Sequence, residues 1–411
     1  MGGGTRQPAG PASGSEVQSG RSREQGLDRL GPIGARGPLF HIWLGSVPFL
    51  LASVAATTRE SLSELLGGRM LEQLQWMLQE KAERGEEMNV GVVLTRLTNN
   101  VICGMTMGRR CSGTDGKTVA IISTPNVADY VGIREKLDLQ HLKTRYVDVR
   151  RRFDTLRTKE SGKTVAGGVV RGFLRVLHDI SEDQGAEMMF TGDNFRSFID
   201  DLFMAGSDTT STTMERALAE LINKPGIQQD ARRAIDSVVG ESRLVEESDI
   251  QNLPFLQAIV KETLRLHPAV PILPRQSNAP CKFRGYNIPA DKGIWRNPLE
   301  FRPERFTPKG RSFGIDVRDQ HYHLLPFGSG RRRCPGLSLV LQLIHTTLAN
   351  VIHCFNLSVE GGLVDMTEGH GATFSKAHPL VCTPKAGLNS VLSTPIIIKQ
   401  LIPFSVIITK R

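Results

Sequence analysis

Cys334 lies in the ten-residue stretch Phe327-Gly328-Ser329-Gly330-Arg331-Arg332-Arg333-Cys334-Pro335-Gly336, which joins one thiol to three glycines and three arginines. No Gly or Pro occurs over residues 337–353, where Leu337, Val340, Leu341, Ile344, Thr347, Leu348, Val351 and Ile352 recur at helical spacing. The thiol therefore stands just ahead of a helix N-terminus, where the helix dipole and free backbone N–H groups favour a thiolate. Glycines let a flat group approach the backbone closely, and arginines pair with carboxylates. This chemistry suits a thiolate-ligated haem with its propionates.

Two plainer readings compete. A single cysteine beside a helix is ordinarily a small buried hydrophobe, and three consecutive arginines alone suggest a nuclear-import or nucleic-acid patch. The pattern Phe-x-x-Gly-x-Arg-x-Cys-x-Gly is met at every fixed position, by Phe327, Gly330, Arg332, Cys334 and Gly336, and this outweighs both. The segment resembles the haem-binding loop of cytochromes P450. The resemblance implies Cys334 as the iron ligand, with Phe327, Gly330, Arg332 and Gly336 shaping the loop around haem b.

Further motifs follow in the order that P450s show. Ala205-Gly206-Ser207-Asp208-Thr209-Thr210 is poor helix chemistry inside a long helical stretch. By itself it reads as a polar patch at a kink, or as a glycine-permitted close approach with a hydroxyl free to bond backwards or onwards. It resembles the oxygen-activating motif of the P450 central helix. That resemblance makes Thr209 and Asp208 the proton relay and has Ala205 and Gly206 leave room over the haem. Glu262-Thr263-Leu264-Arg265 puts a carboxylate and a guanidinium on one helix face. Such a pair is usually a surface ion pair worth about 0.3–0.5 kcal/mol. With Arg305 of Phe301-Arg302-Pro303-Glu304-Arg305-Phe306 it resembles the P450 triad that braces the haem pocket. In His267-Pro268-Ala269-Val270-Pro271-Ile272-Leu273-Pro274-Arg275 the prolines enforce an extended course. The resemblance gives Val270, Ile272 and Leu273 to the substrate pocket and Arg275 to a haem propionate; as a residue alone, Arg275 is equally an ordinary exposed arginine. His321 and His323 alternate as on a strand and so could share a metal, but no third ligand is near in sequence, and a packed loop is the simpler reading.

The elements that must position these residues are mostly helices. Residues 38–53 read as β. Helices are expected over 58–66, 70–84, 89–107, 129–157, 173–180, 195–222, 227–239 and 254–266. Asn223-Lys224-Pro225-Gly226, Gly240 and His267-Pro268 act as stops. Short strands are expected near 282–288 and toward the C-terminus. The fold class is mainly α with a minor β portion, resembling the P450 fold in incomplete form. Residues 1–36 read as a Gly-, Ser-, Arg- and Pro-rich disordered segment, 37–385 as the haem domain and 386–411 as a divergent tail.

The 411 residues carry a net charge of +9 and a pI near 9.4, which permits docking to an acidic protein or an anionic membrane. Six cysteines lack paired or CxxC spacing, which argues against a zinc site or a disulfide framework and for a reducing compartment. No transmembrane helix is expected: the apolar runs at 47–56 and 391–408 are short or broken by Pro and Lys. A nucleic-acid partner would rest on charge alone, without aromatic interleaving.

The resemblance is to the plant microsomal P450s, and residues 245–254 and 314–323 look like those of the flavonoid-oxidising branch of flavone synthases and flavanone 2-hydroxylases. It implies a haem–thiolate monooxygenase acting on a small hydrophobic, flavonoid-like metabolite with O2. It further implies electrons from NADPH through NADPH–cytochrome P450 reductase, a monomeric state, and residence at the endoplasmic-reticulum surface, or in the cytoplasm for a chain without an anchor. Departures are also legible. The family's membrane anchor and proline-rich hinge are not found. Residues 58–69 pass over the loop and the Trp–Arg helix of relatives, and a second gap falls between Pro289 and Ile294. Arg216 stands where relatives usually have Trp. These gaps leave open a second reading, a non-catalytic remnant that binds haem weakly or not at all.

Overall fold

The computed structural model describes residues 39–44, 47–52, 71–107, 192–271, 295–318, 323–329, 333–369 and 373–387. The helices expected at 58–66, 129–157 and 173–180 and the strand at 282–288 lie outside them. β1 (Leu39–Leu44) and β2 (Val47–Ala52) pair antiparallel, from Leu39↔Ala52 to Leu44↔Val47. This hairpin belongs to a compact unit of its own, within residues 1–60.

Among its described residues the second unit is helical with one small sheet. α1 (Leu71–Arg84) buries Leu71, Leu74 and Leu78. It ends at Gly85, whose φ of +59° is the left-handed turn that glycine adopts most easily. The two-residue strand β3 (Met88–Asn89) leads into α2 (Val90–Met107), and the Asn89 side chain caps α2 by accepting the Val92 N–H at 3.1 Å. α3 (Gly192–Asn223) is the longest described helix, at 32 residues. Pro225 then opens α4 (Pro225–Val239), and Pro254 opens α5 (Pro254–Leu266), at a position where its missing N–H costs nothing. A 3-10 turn (Pro303–Phe306) precedes α6 (Leu337–Cys354), β4 (Phe355–Ser358) and β5 (Val381–Ala386). In the sheet β5 lies between β3 and β4, antiparallel to both, with Met88↔Cys382 and Phe355↔Ala386 in register.

α3 packs against α2, α4, α5 and α6. Leu341, Ile344, Leu348 and Val351 of α6 are buried in one core with Leu256, Ile259 and Val260 of α5 and with Met214, Ala217, Leu218 and Leu221 of α3. Each Leu, Ile, Val or Met among them contributes about 1.5–3 kcal/mol by leaving water. Among the described residues α6 is the one helix long and apolar enough to cross a membrane, but 72% of that stretch is buried inside the protein, as expected of a core helix. Cys334, Cys354 and Cys382 are free thiols, whereas Cys103 is disulfide-bonded. The cysteine spacing gave no sign of that bridge.

Candidate active site

The thiol of Cys334 lies two residues before Gly336, the N-cap of α6, which opens at Leu337. The Cys334 N–H donates to the Phe327 carbonyl at 3.0 Å and closes the loop, and Gly328 turns it with φ +70°. Cys334 is half-buried and Phe327 packs against the core. Burial pushes the thiol pKa up, while the Gly336 N–H and the Arg333 charge oppose that rise. Cys354 and Cys382 differ: burial drives them to about 11 and about 12, as for inert small hydrophobes. Arg333 donates to the Arg318 carbonyl at 2.8 Å and so ties the loop to the preceding segment. Gly330 and Arg332 lie outside the described residues, as do Arg275, Ile272 and Leu273.

Glu262, Arg265 and Arg305 come together. Glu262 is fully buried, and its carboxylate accepts from Arg265 Nε at 2.7 Å and Nη2 at 3.0 Å, from Arg305 Nε at 3.3 Å and from the Arg302 N–H at 2.7 Å. With side-chain exposures of 5% for Arg265 and 0% for Glu262, the surface-pair reading does not apply. The arginines spend their other donors on carbonyls, Arg265 on Pro298 at 2.8 Å and Arg305 on Asn297 at 2.7 Å and on Arg296. Arg265 also lies over the Trp295 ring at 5.4 Å. One helix, one 3-10 turn and the strip at 296–300 are thereby locked together.

The motif in α3 is spread over several partners. Thr209 Oγ1 donates back to the Ala205 carbonyl at 2.6 Å. Asp208 does not bond Thr209; its carboxylate accepts from Thr373 Oγ1, in a hairpin formed by the Glu368↔Lys376 bridge. Ala205 is exposed. A Cβ on Gly206 would lie 3.0 Å from Ile102 Cδ1, so the bare side of this glycine faces α2. Below it runs a polar seam: Ser207 Oγ donates to Asn99 Oδ1 at 2.5 Å, and Thr95 Oγ1 to Ser211 Oγ at 3.2 Å. Val270 is half-buried, and its neighbour Ala269 accepts the Phe374 N–H at 2.9 Å. The hairpin contacts were missed by the sequence reading, because Thr373 stands 165 residues from Asp208 and carries no motif. His321 lies outside the described residues, and His323 joins no metal-ligating cluster among them.

A model of the cytochrome P450 family matches residues 49–382, most of the chain. The chain belongs to the cytochrome P450 family. Cytochrome P450 93A2 of Glycine max is 39% identical over 438 aligned positions, covering 86% of this chain and 87% of the relative. The 3,9-dihydroxypterocarpan 6A-monooxygenase of Glycine max is 36% identical over 445 positions, again covering 86% and 87%. The 2-hydroxyisoflavanone synthase of Glycyrrhiza uralensis is 36% identical over 351, covering 75% and 67%. An alignment of 438 positions exceeds the 411 residues of the whole chain. This P450 therefore lacks internal stretches that its relative carries, in keeping with the gaps read from the sequence.

Membership makes the protein a haem-dependent monooxygenase that uses O2 and a redox partner, and it supports this reading over that of a non-catalytic remnant. The donor chemistry fits the cofactor. Cys334 is a free thiol at a helix head with an N–H and a guanidinium beside it, and no cluster of three or more His, Cys, Asp or Glu among the described residues competes as a metal site.

Proposed function

We propose that this P450 hydroxylates a flavonoid-like metabolite, with Cys334 as the iron ligand and residues 37–385 as the haem domain. The observation that carries the reading is the placement of Cys334 at the head of α6, in a loop closed onto Phe327. The substrate class rests on the relatives whose names specify a pterocarpan and an isoflavanone.

Cys334 would hold the haem, which would supply activation of O2: with two electrons and two protons, one oxygen atom would enter the substrate and the other would leave as water. The loop's own task is to hold the sulfur: the Gly336 N–H and the Arg333 charge stabilise its anionic form against the cost of burial. Phe327, Gly330, Arg332 and Gly336 would shape the loop around the haem, and Arg275 would pair with a propionate. Ala205 and Gly206 would leave room for the haem as the family resemblance implies, while the bare side of Gly206 also meets Ile102 of α2. Thr209 is a proton donor once its hydroxyl turns from the Ala205 carbonyl by rotation about χ1. Asp208 is the carboxylate that resupplies the proton. Val270, Ile272 and Leu273 line the substrate side. Glu262, Arg265 and Arg305 maintain the fold and touch no reacting atom. Electrons come from NADPH through NADPH–cytochrome P450 reductase, drawn to the basic proximal face, and the monomer works at the endoplasmic-reticulum surface.

The test is the absorption spectrum of the purified chain, loaded with haem, reduced and exposed to carbon monoxide. The parent is expected to show the thiolate–carbonyl Soret band and Cys334→Ala to lose it. Full haem content with an unchanged band in the variant would remove Cys334 from the ligand position.

A further inference from the structure

Four polar side chains of α3 face the segment 364–380. Asp208, Glu215, Arg216 and Asn223 are spaced by seven or eight residues, or are neighbours, and so lie along one strip of the helix. Asn223 accepts the Val364 N–H at 2.7 Å and donates to the Val364 carbonyl at 3.0 Å. Arg216, 1% exposed, donates to the carbonyls of Met366 at 2.7 Å, Ser375 at 3.0 Å and Phe374 at 3.3 Å. Glu215 accepts the Leu380 N–H at 2.9 Å. Both arms of the hairpin are thus fastened to α3: Met366 precedes the Glu368↔Lys376 bridge, whereas Phe374 and Ser375 belong to the returning arm. Two cross-strand bonds stiffen it, Gly369 N–H to Ser375 O at 2.8 Å and Ala377 N–H to Thr367 O at 2.9 Å.

This anchoring determines where Thr373 stands. Its hydroxyl donates to Asp208 Oδ2, and both residues are half-buried. We propose that Thr373 is a positioning residue for Asp208: the hairpin, held by Arg216, fixes the carboxylate of the α3 motif in one orientation. The inference rests on the monooxygenase reading for its consequence, because Asp208 is there the residue that resupplies a proton. Thr209 takes no part in holding it, since its hydroxyl is given to Ala205. The hairpin also donates the Phe374 N–H to Ala269, next to Val270. A ligand that shifts the hairpin therefore also shifts Asp208, which couples occupancy of the substrate side to the proton supply.

The variants are Thr373→Val, which keeps the shape and removes the donor, Thr373→Ser, which keeps the hydroxyl, Asp208→Ala, and the double variant Asp208→Ala with Thr373→Val. The first readout is amide hydrogen exchange at residues 373–380 of the full chain. Thr373→Val and Asp208→Ala should each speed it by about tenfold, the loss of one hydrogen bond to a charged acceptor. The double variant should go no further, and Thr373→Ser should match the parent. Unchanged exchange in Thr373→Val, or additive acceleration in the double variant, would show that the two residues do not hold each other. The second readout is product formed per NADPH consumed by the haem-loaded protein. A several-fold fall with a matching rise in peroxide for Thr373→Val, restored by Thr373→Ser, is expected; full coupling in Thr373→Val would overturn the positioning role. Failure of the parent to take up haem would count against the monooxygenase reading and against the consequence drawn from it, while exchange would still decide the link itself.

Discussion

The α5 clamp around Glu262 and the α3 strip that holds the hairpin both bury charge, and they neutralise it by different means. In the clamp one carboxylate faces two guanidiniums, and every element involved lies within 44 residues of Glu262. In the strip Arg216 is answered by backbone carbonyls and Glu215 by a backbone N–H, each with its opposite charge at a distance. Removing one partner of a buried, hydrogen-bonded ion pair strands the other charge and is strongly destabilising. A charge answered by the dipoles of a separate segment depends on that segment staying docked. The clamp is accordingly built for permanence, whereas the strip keeps its geometry only while the hairpin stays docked.

The sharpest way to break the contrast is Glu262→Ala. It leaves Arg265 and Arg305 buried without their carboxylate and frees the Arg302 N–H. A loss of about 3–5 kcal/mol is expected, read as a large fall in the denaturant midpoint without a change in slope. A fall of under about 1 kcal/mol, the range of exposed pairs, would mean that the clamp is ornamental.

The strip answers to pH with a definite sign. Burial raises the Glu215 carboxyl above its ordinary value of 4.5, while the Leu380 N–H, Lys376 and Arg216 pull the other way and Asp208 adds to the rise. A folded-state value above the unfolded one means that the native protein holds the proton longer. The stabilisation is therefore present below about pH 4.5 and is lost as pH rises through the raised value. Glu215→Gln should remove that decline, so that its stability relative to the parent improves as pH climbs from 4.5 toward neutrality. Chemical denaturation across this range measures it. A relative stability that worsened with pH would mean that the Leu380 N–H and the nearby cations outweigh burial at Glu215.

How much of this was legible in the sequence follows the same division. The Cys334 loop, the helix behind it and the limits of α5 at Pro254 and Leu266 are written in local signals: glycines, prolines and a 3.6-residue period. The Glu262–Arg265 pair is an i,i+3 motif, and only its burial had to await the structure. The strip is different. Arg216 stood out as unusual, but its partners are carbonyls of Met366, Phe374 and Ser375, and every residue has a carbonyl. Thr373 bonds Asp208 across 165 residues with nothing in between to announce it. The start of α3 at Gly192 precedes the expected Phe195 because a helix end depends on caps and packing more than on periodicity.

Gly206 gives the smallest effect and separates two meanings of one residue. If the glycine exists to seat α2, then Gly206→Ala drives a methyl against Ile102 Cδ1 at 3.0 Å. Overpacking costs about 1–3 kcal/mol, and the gain in helix propensity of about 1 kcal/mol offsets part of it. The net expectation is a loss of about 1 kcal/mol. Ile102→Val deletes the Cδ1 that the new methyl would meet, so Gly206→Ala should cost little in the Ile102→Val background, and a double-mutant cycle read by denaturant unfolding gives the coupling directly. If the glycine instead keeps room for the cofactor alone, Ile102→Val has nothing to relieve: the two changes would add, and haem content rather than stability would fall. Coupling thus assigns Gly206 to the α2–α3 contact, and additivity assigns it to the haem side.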